Sequence, residues 1–250
     1  MKIGLIIPCT SKNREWTFMK ETYFYNLTFK TFLATYSPEH EYVFYVGIDH
    51  TDHLFNNLAE QAEIQKFTRV FKNITIKFIV LHVKKGHLTK MWNELFTCAY
   101  DEGCDYFYQC GDDIQFTTKG WVNDSINELQ KNDNIGITGP VNNNHFILTQ
   151  AFVSRTHMQI FGYFFPENII NWGCDDWYNH VYKPEYFYPL KQHYCSNMGG
   201  KPRYNVDNNP SFWSNYSANV KEIRTNTKDQ AINDRSKIKL FIQNKNMHPK

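Results

Sequence analysis

The sequence lacks any long apolar stretch. Its longest apolar run near the start, Ile3 to Ile7, stops at Pro8. That is too short for a signal-peptide core and far too short to span a bilayer, so a soluble, cytoplasmic chain without a membrane span is expected. Paired C-x-x-C motifs are missing too. Cys9, Cys98, Cys104, Cys110, Cys174 and Cys195 are scattered, which indicates neither a zinc site nor a disulfide framework and reads as free thiols in a reducing compartment. Charge of one sign is not in excess: the formal net charge is +2, so no strong electrostatic footprint for nucleic acid is visible. Internal repeats and a Pro/Ser-rich linker are also lacking. What remains is 250 residues with 42% hydrophobic and 21% charged composition, which suits one globular domain with a sizeable core.

Within that frame, strand and helix patterns alternate through the first 110 or so residues. "KIGLIIP" is a continuous apolar run stopped by proline, as in a buried parallel strand. Phe18, Thr22, Tyr25, Phe29, Phe32 and Leu33 recur at helical spacing and predict one long helix. "EYVFYVGID" and "NITIKFIVLHV" read as the second and third strands, with a helix carrying Leu54, Leu58 and Ala62 between them. Leu88, Trp92, Leu95 and Ala99 predict a helix closed by Gly103. Such alternation implies βαβ units and a mostly parallel sheet, whose ligands bind at the carboxyl ends of the strands. Pro8 to Arg14, Asp49 and Asp112/Asp113 all fall at those ends. After residue 120 the pattern loosens, although "GWVNDSINELQKN" reads as a helix, "NIGITGPVNNN" as strand and loop, and "TQAFVSRTHMQIFGYF" as strand then helix. Beyond Tyr182 prolines, glycines and aromatics dominate, and a polar tail of little periodicity runs from Asn219.

The strand "CDYFYQC" delivers two adjacent carboxylates, Asp112 and Asp113, after Gly111. Two ionised carboxylates in a packed setting repel each other and lose hydration, so a positive partner is expected: a metal, an arginine, or simply water. A solvated turn is the plainest alternative. A polymerase palm would also present "GDD", but it needs a further aspartate-bearing strand and a longer chain. A nucleotide-sugar site uses such carboxylates to hold Mn²⁺ or Mg²⁺ against a diphosphate.

The order of these elements resembles the GT-A glycosyltransferase fold over roughly residues 2 to 200. The resemblance implies a nucleotide-sugar-binding α/β half at residues 1–118, an acceptor-binding and catalytic half of the same domain at 119–218, and the tail at 219–250. It further implies that "LIIPCTSKNREW" cradles the nucleotide through Pro8, Thr10 and Arg14. "VGIDHTD" then offers Asp49 or Asp52 to the base, and the helix before the metal motif turns Lys90 and Asn93 towards the nucleotide. Relative to a D-x-D motif, Gly111 stands at the first carboxylate. Asp113 is then the expected metal ligand, with Asp112 as a second ligand or a ribose contact.

A second acidic cluster, "WGCDDW", resembles the W-G-x-E-D-D segment of β-1,4-galactosyltransferases, which supplies acceptor contacts and a catalytic base. Asp175 and Asp176 are therefore the candidate bases, because an acceptor hydroxyl is a poor nucleophile until a positioned group takes its proton. Both would equally well start a helix, since carboxylates there oppose the helix dipole. Trp172 and Trp177 are candidate stacking surfaces for a sugar, or core residues. The resemblance implies His193 as a third metal ligand, and Lys201 and Arg203 as a basic lid over the diphosphate. "FGYFFPENIINWGCDDWYNHVY" is similar to TET-associated glycosyltransferases, which adds a modified DNA base to glycans and proteins as possible hydroxyl acceptors. The expected activity is transfer from a nucleoside-diphosphate sugar, UDP-linked in the first instance, with inversion. A nucleotidyltransferase should carry a G-x-G-T-R-type loop after its first strand, and "PCTSKNREW" has no glycine. An inactive nucleotide-binding module stays open until turnover is measured.

Overall fold

The computed structural model describes residues 1–144, 146–200 and 203–247. Its elements run β1 (Lys2–Cys9), α1 (Lys30–Thr35), β2 (Glu41–Asp49), α2 (Leu58–Thr68), β3 (Ile74–Leu81), α3 (Leu88–Asp101), β4 (Tyr106–Gln109) and β5 (Ile114–Phe116). They continue with α4 (Trp121–Lys131), β6 (Ile137–Val141), β7 (Ala151–Ser154), α5 (Arg155–Phe161), α6 (Cys174–Tyr182), β8 (Phe187–Asn197) and α7 (Tyr216–Met247). The strands form one sheet in the order β3-β2-β1-β4-β7-β6-β8-β5. The first four in that order are mutually parallel, with Ile3 of β1 level with Tyr42 of β2 and Tyr106 of β4. Strands β4 and β7 run antiparallel, as do β7 and β6, while β6 and β8 run parallel.

Alternation along each strand explains why the sheet is covered on both faces. Ile3, Leu5 and Ile7 of β1 and Phe44, Val46 and Ile48 of β2 pack on one side with Phe24, Phe29, Phe32 and the α4 residues Trp121, Ile126 and Leu129. Ile6, Val43 and Tyr45 point the other way, into a second core with Leu95 and Phe96 of α3, Trp177 and Tyr178 of α6, and Ala231 and Ile238 of α7. The six cysteines are all unpaired, as their spacing implies.

Three expectations are corrected. The single helix expected over Phe18 to Leu33 is split into a short 3₁₀ turn at Met19–Glu21, a π turn at Phe24–Phe29 and α1. The irregular region past Tyr182 contains β8, eleven residues long, pairing with both β6 and β5. The stretch read as a polar tail over 219–250 lies, through Met247, in α7, which begins at Tyr216 and packs on α6. Its buried stripe includes Thr227 and Asp234 beside Ala231 and Ile238, so hydropathy alone does not mark it. Among the described residues no helix is long and apolar enough to cross a membrane.

Candidate active site

Because β1, β2 and β4 are adjacent and parallel, their carboxyl ends bring Pro8 to Thr10, Asp49 and Gly111 to Asp113 to one place. They line a cavity of about 900 Å³ whose other walls come from the loop after β3 (Lys84 to Gly86), the start of α6 (Asp175, Asp176) and the segment bearing Arg203 and Tyr204. Parallel sheets leave such a crevice because successive helices turn away beyond the strand ends.

An arginine answers the question of what faces the paired aspartates. Asp112 is buried and receives both terminal nitrogens of Arg203: Nη1 donates to Oδ2 at 2.6 Å, and Nη2 closes on Oδ1. Arg203 Nη1 also reaches the Thr10 carbonyl at 3.2 Å, so this guanidinium ties β4 to the β1 loop. The same Arg203 stands off from Asp113 at 3.5 Å. Burial, followed by the neighbouring Asp112 charge, pushes the Asp113 carboxyl up to about 6, against the opposing pull of Arg203 and Arg14. Gly111 occupies the place of a first carboxylate because a Cβ there would lie 2.6 Å from Asp113 Oδ1 and force that carboxylate aside.

The neighbouring strand end has two aspartates in distinct roles. Asp49 lines the cavity and accepts from the Thr51 amide at 2.9 Å and from Tyr204 Oη at 3.0 Å. Asp52 instead buttresses the β1 loop, accepting from the Ser11 amide at 2.5 Å and Thr10 Oγ1 at 2.9 Å, and capping Phe55 at 2.9 Å. Pro8 and Thr10 belong to the cavity wall, as expected. Arg14 does not line it. Its guanidinium donates to the Gly199 carbonyl at 3.1 Å and lies 5.5 Å from the Tyr23 ring, bracing the segment that carries Arg203.

At the other wall, Asp175 and Asp176 occupy the first turn of α6. Gly173 precedes them at φ 83°, and a Cβ there would lie 2.9 Å from Thr227 Oγ1, so glycine permits both the turn and the close approach of α7. Burial, then the adjacent Asp176 charge, raises the Asp175 carboxyl to about 7. Trp172 lines the cavity and packs 5.4 Å from Phe212, whereas Trp177 is core, its Nε1 donating to Asp234 at 3.1 Å.

Three expected ligands sit elsewhere. His193 does not line the cavity: its ring nitrogens meet Asp124 at 2.7 Å and Thr118 at 3.2 Å. With Phe116 level with Cys195, His193 lies beside Thr118, five residues past Asp113 and on the order of 15 Å along the strand. Asn93 clamps a turn, accepting from the amides of Phe164 at 3.0 Å and Phe165 at 2.8 Å and donating to the Phe165 carbonyl at 2.8 Å. Lys90 is exposed on the outer face of α3 and does not reach the cavity. The lysines that do are Lys84 and Lys85, which no helical or strand period marks. Lys201 lies outside the described residues. Among the described residues, no group of three or more histidines, cysteines or acids could hold a metal ion by itself.

No family model matches the sequence, and no curated protein is similar to it. Solved structures are. TarS of S. aureus aligns with TM-score 0.53 at 14% identity, covering 78% of this chain and 36% of TarS. A TarS fragment of residues 1–349 crystallised with UDP-GlcNAc aligns with TM-score 0.55 at 14% identity, covering 81% of this chain and 60% of the fragment. The same fragment with UDP gives 0.53, covering 78% and 60%. The chain thus spans less than two thirds of the neighbours it matches, and what it shares with them is the GT-A-type fold.

Proposed function

We propose that this chain is a glycosyltransferase that moves a sugar from a nucleoside diphosphate, UDP in the first instance, to an acceptor hydroxyl with inversion. One observation carries the reading. A single cavity at the carboxyl end of a GT-A-type sheet holds two acidic sites of different character, Asp113 beside an arginine and Asp175 at a helix start. TarS, which has a similar fold, is found with UDP and UDP-GlcNAc.

In this reading the nucleoside lies against Pro8, Thr10 and Asp49, with Tyr204 over it and the diphosphate directed to Asp113, Lys84 and Lys85. Mn²⁺ or Mg²⁺ suits Asp113. Arg203 is spent on Asp112 and leaves the partly exposed Asp113 carboxylate with an ionic partner no closer than 3.5 Å from that side, and such ions take one or two carboxylates with phosphate and water oxygens. The cation would neutralise charge growing on the departing diphosphate. Arg203, held by Asp112, adds fixed positive charge beside it. On the acceptor side Asp175, poised near neutrality, takes the hydroxyl proton as the oxygen bonds to the anomeric carbon and the bond from that carbon to the phosphate oxygen breaks. The electron pair leaves with the nucleoside diphosphate. Trp172 offers the acceptor ring an apolar face beside that base.

Thermal shift with UDP and UDP-GlcNAc tests the binding half. A ligand at a hundred times its dissociation constant adds about 2.7 kcal/mol of stability. Stabilisation by these nucleotides that is lost in Asp49→Ala is expected; no shift with any nucleoside diphosphate would reject the reading.

A further inference from the structure

We infer that the acceptor is a phosphorylated carbohydrate whose phosphate is held in a second hollow, between α6 and α7, that adjoins the cavity across Asp176 and Arg224. This names the acceptor of the transfer proposed above and rests on that reading for its chemistry, though its binding step stands apart from it.

The hollow, of about 670 Å³, is lined by Lys221, Arg224 and Lys228 of α7, Asp176 and His180 of α6, and Tyr216 among others. Residues 221, 224 and 228 are spaced three and four apart, so they share one stripe of the helix, over about 10 Å of its length. None of these three side chains has an ion pair or hydrogen bond among the described residues, whereas Lys237 and Lys245 of the same helix pair with Asp234 and Asp133. Three cations held together with one carboxylate leave an uncompensated positive field. His180 beside them is held below its ordinary value first by burial, with the Asp176 charge pulling it up and Lys183, Lys228 and Arg235 pulling it down. A dianionic phosphate relieves that repulsion and offers each cation an acceptor oxygen.

The size of the stripe and its aromatic edge select the ligand. A nucleic-acid strand is tracked by a longer run of cations and by aromatics spread along successive bases. Here the stripe spans two turns in a chain of formal net charge +2. Trp213 and Tyr216 are stacked on each other, 5.5 Å apart at 11°, as a single half-exposed wall. One aromatic wall beside one anion site matches one sugar ring carrying one phosphate. Asp176 and Arg224 line both spaces, so a group held in the hollow lies next to the residues flanking Asp175.

The test uses the full chain with UDP at saturation, so that the donor side is filled, and titrates glucose 6-phosphate, glucose and a ten-residue oligothymidylate by calorimetry at fixed ionic strength. Glucose 6-phosphate is expected to bind and glucose to bind far more weakly. The double variant Lys221→Glu/Lys228→Glu is expected to lose roughly tenfold or more in glucose 6-phosphate affinity, because charge-assisted bonds to the phosphate are replaced by repulsion. Lys239→Glu, one such charge reversal on α7 outside the hollow, is expected to change little. Lys221→Gln/Lys228→Gln repeats the test should charge reversal impair folding. Equal binding of glucose and its phosphate, or equal losses in the hollow and Lys239 variants, would overturn the inference. So would tighter binding of the oligothymidylate, which would assign the stripe to nucleic acid. Failure of UDP itself to bind rejects the transferase reading, whereas UDP binding without phosphate binding rejects the hollow alone.

Discussion

Replacing Asp175 by Asn separates catalysis from architecture, and the two effects should have opposite signs. Burial and the Asp176 charge raise the Asp175 carboxyl from 3.8 to about 7. A carboxyl raised on folding imposes no penalty below about pH 4, an increasing one between pH 4 and 7, and a constant one above. At about 1.4 kcal/mol per tenfold change in proton affinity, the change from 3.8 to about 7 sets an upper bound of about 4 kcal/mol. The side chain is partly exposed, so solvent screening reduces this to on the order of 1–2 kcal/mol. Asn keeps the shape and accepts the Asp176 amide, which now donates to Asp175 at 3.0 Å, but it cannot ionise or take a proton. The variant should melt higher than the parent at pH 8 and at the same temperature at pH 4. Its single-turnover transfer rate at saturating donor should fall about 10²–10⁴-fold. In the parent that rate should rise with pH through about 7 and level off above it. A variant with transfer within tenfold of the parent, or with melting temperatures that follow the parent's at every pH, would refute the assignment.

Arg203→Ala should cost about 3–5 kcal/mol in urea denaturation, because it strands the buried Asp112 carboxylate. Asp112→Asn added to that variant should restore much of the loss, and a single-variant loss below about 1 kcal/mol would contradict the buried-pair account. His193→Gln should lower stability by about 1 kcal/mol while leaving metal-linked nucleotide affinity unchanged, since its partners are Asp124 and Thr118. A large fall in metal-linked affinity in calorimetry would return His193 to the site.

The first strands were legible because β1 and β2 are buried on both faces and so read as unbroken apolar runs ending where the sheet ends. Strand β8 was not, because Pro189 interrupts it and most of its side chains are only partly covered. Helix α7 hid because its inner stripe interleaves polar groups, such as Asp234 paired with Trp177 and Lys237, with the few apolar residues it buries, Ala231 and Ile238 among them. The same division applies to the site. Asp49, Asp112, Asp113, Asp175 and Asp176 follow recognisable local patterns at strand ends or a helix start. The contact of Arg203 with Asp112 spans 91 residues and that of Tyr204 with Asp49 spans 155, distances at which no sequence period operates. His193 and Asn93 were misplaced for the complementary reason: spacing along the chain says nothing of direction in space, and each faces partners on its own side of the sheet.

The most direct measurement is release of free UDP from UDP-GlcNAc and other UDP-sugars, with glucose or glucose 6-phosphate as the acceptor hydroxyl and with water alone, in Mn²⁺ or Mg²⁺ and in EDTA, for the parent and for Asp113→Ala. The account predicts release with the ion, little with EDTA, and loss of the ion's effect in Asp113→Ala at an unchanged far-UV dichroism spectrum. Release that is equal with ion and chelator, and equal in Asp113→Ala, would contradict the role given to Asp113. No release from any nucleotide sugar under any of these conditions would contradict the transferase itself.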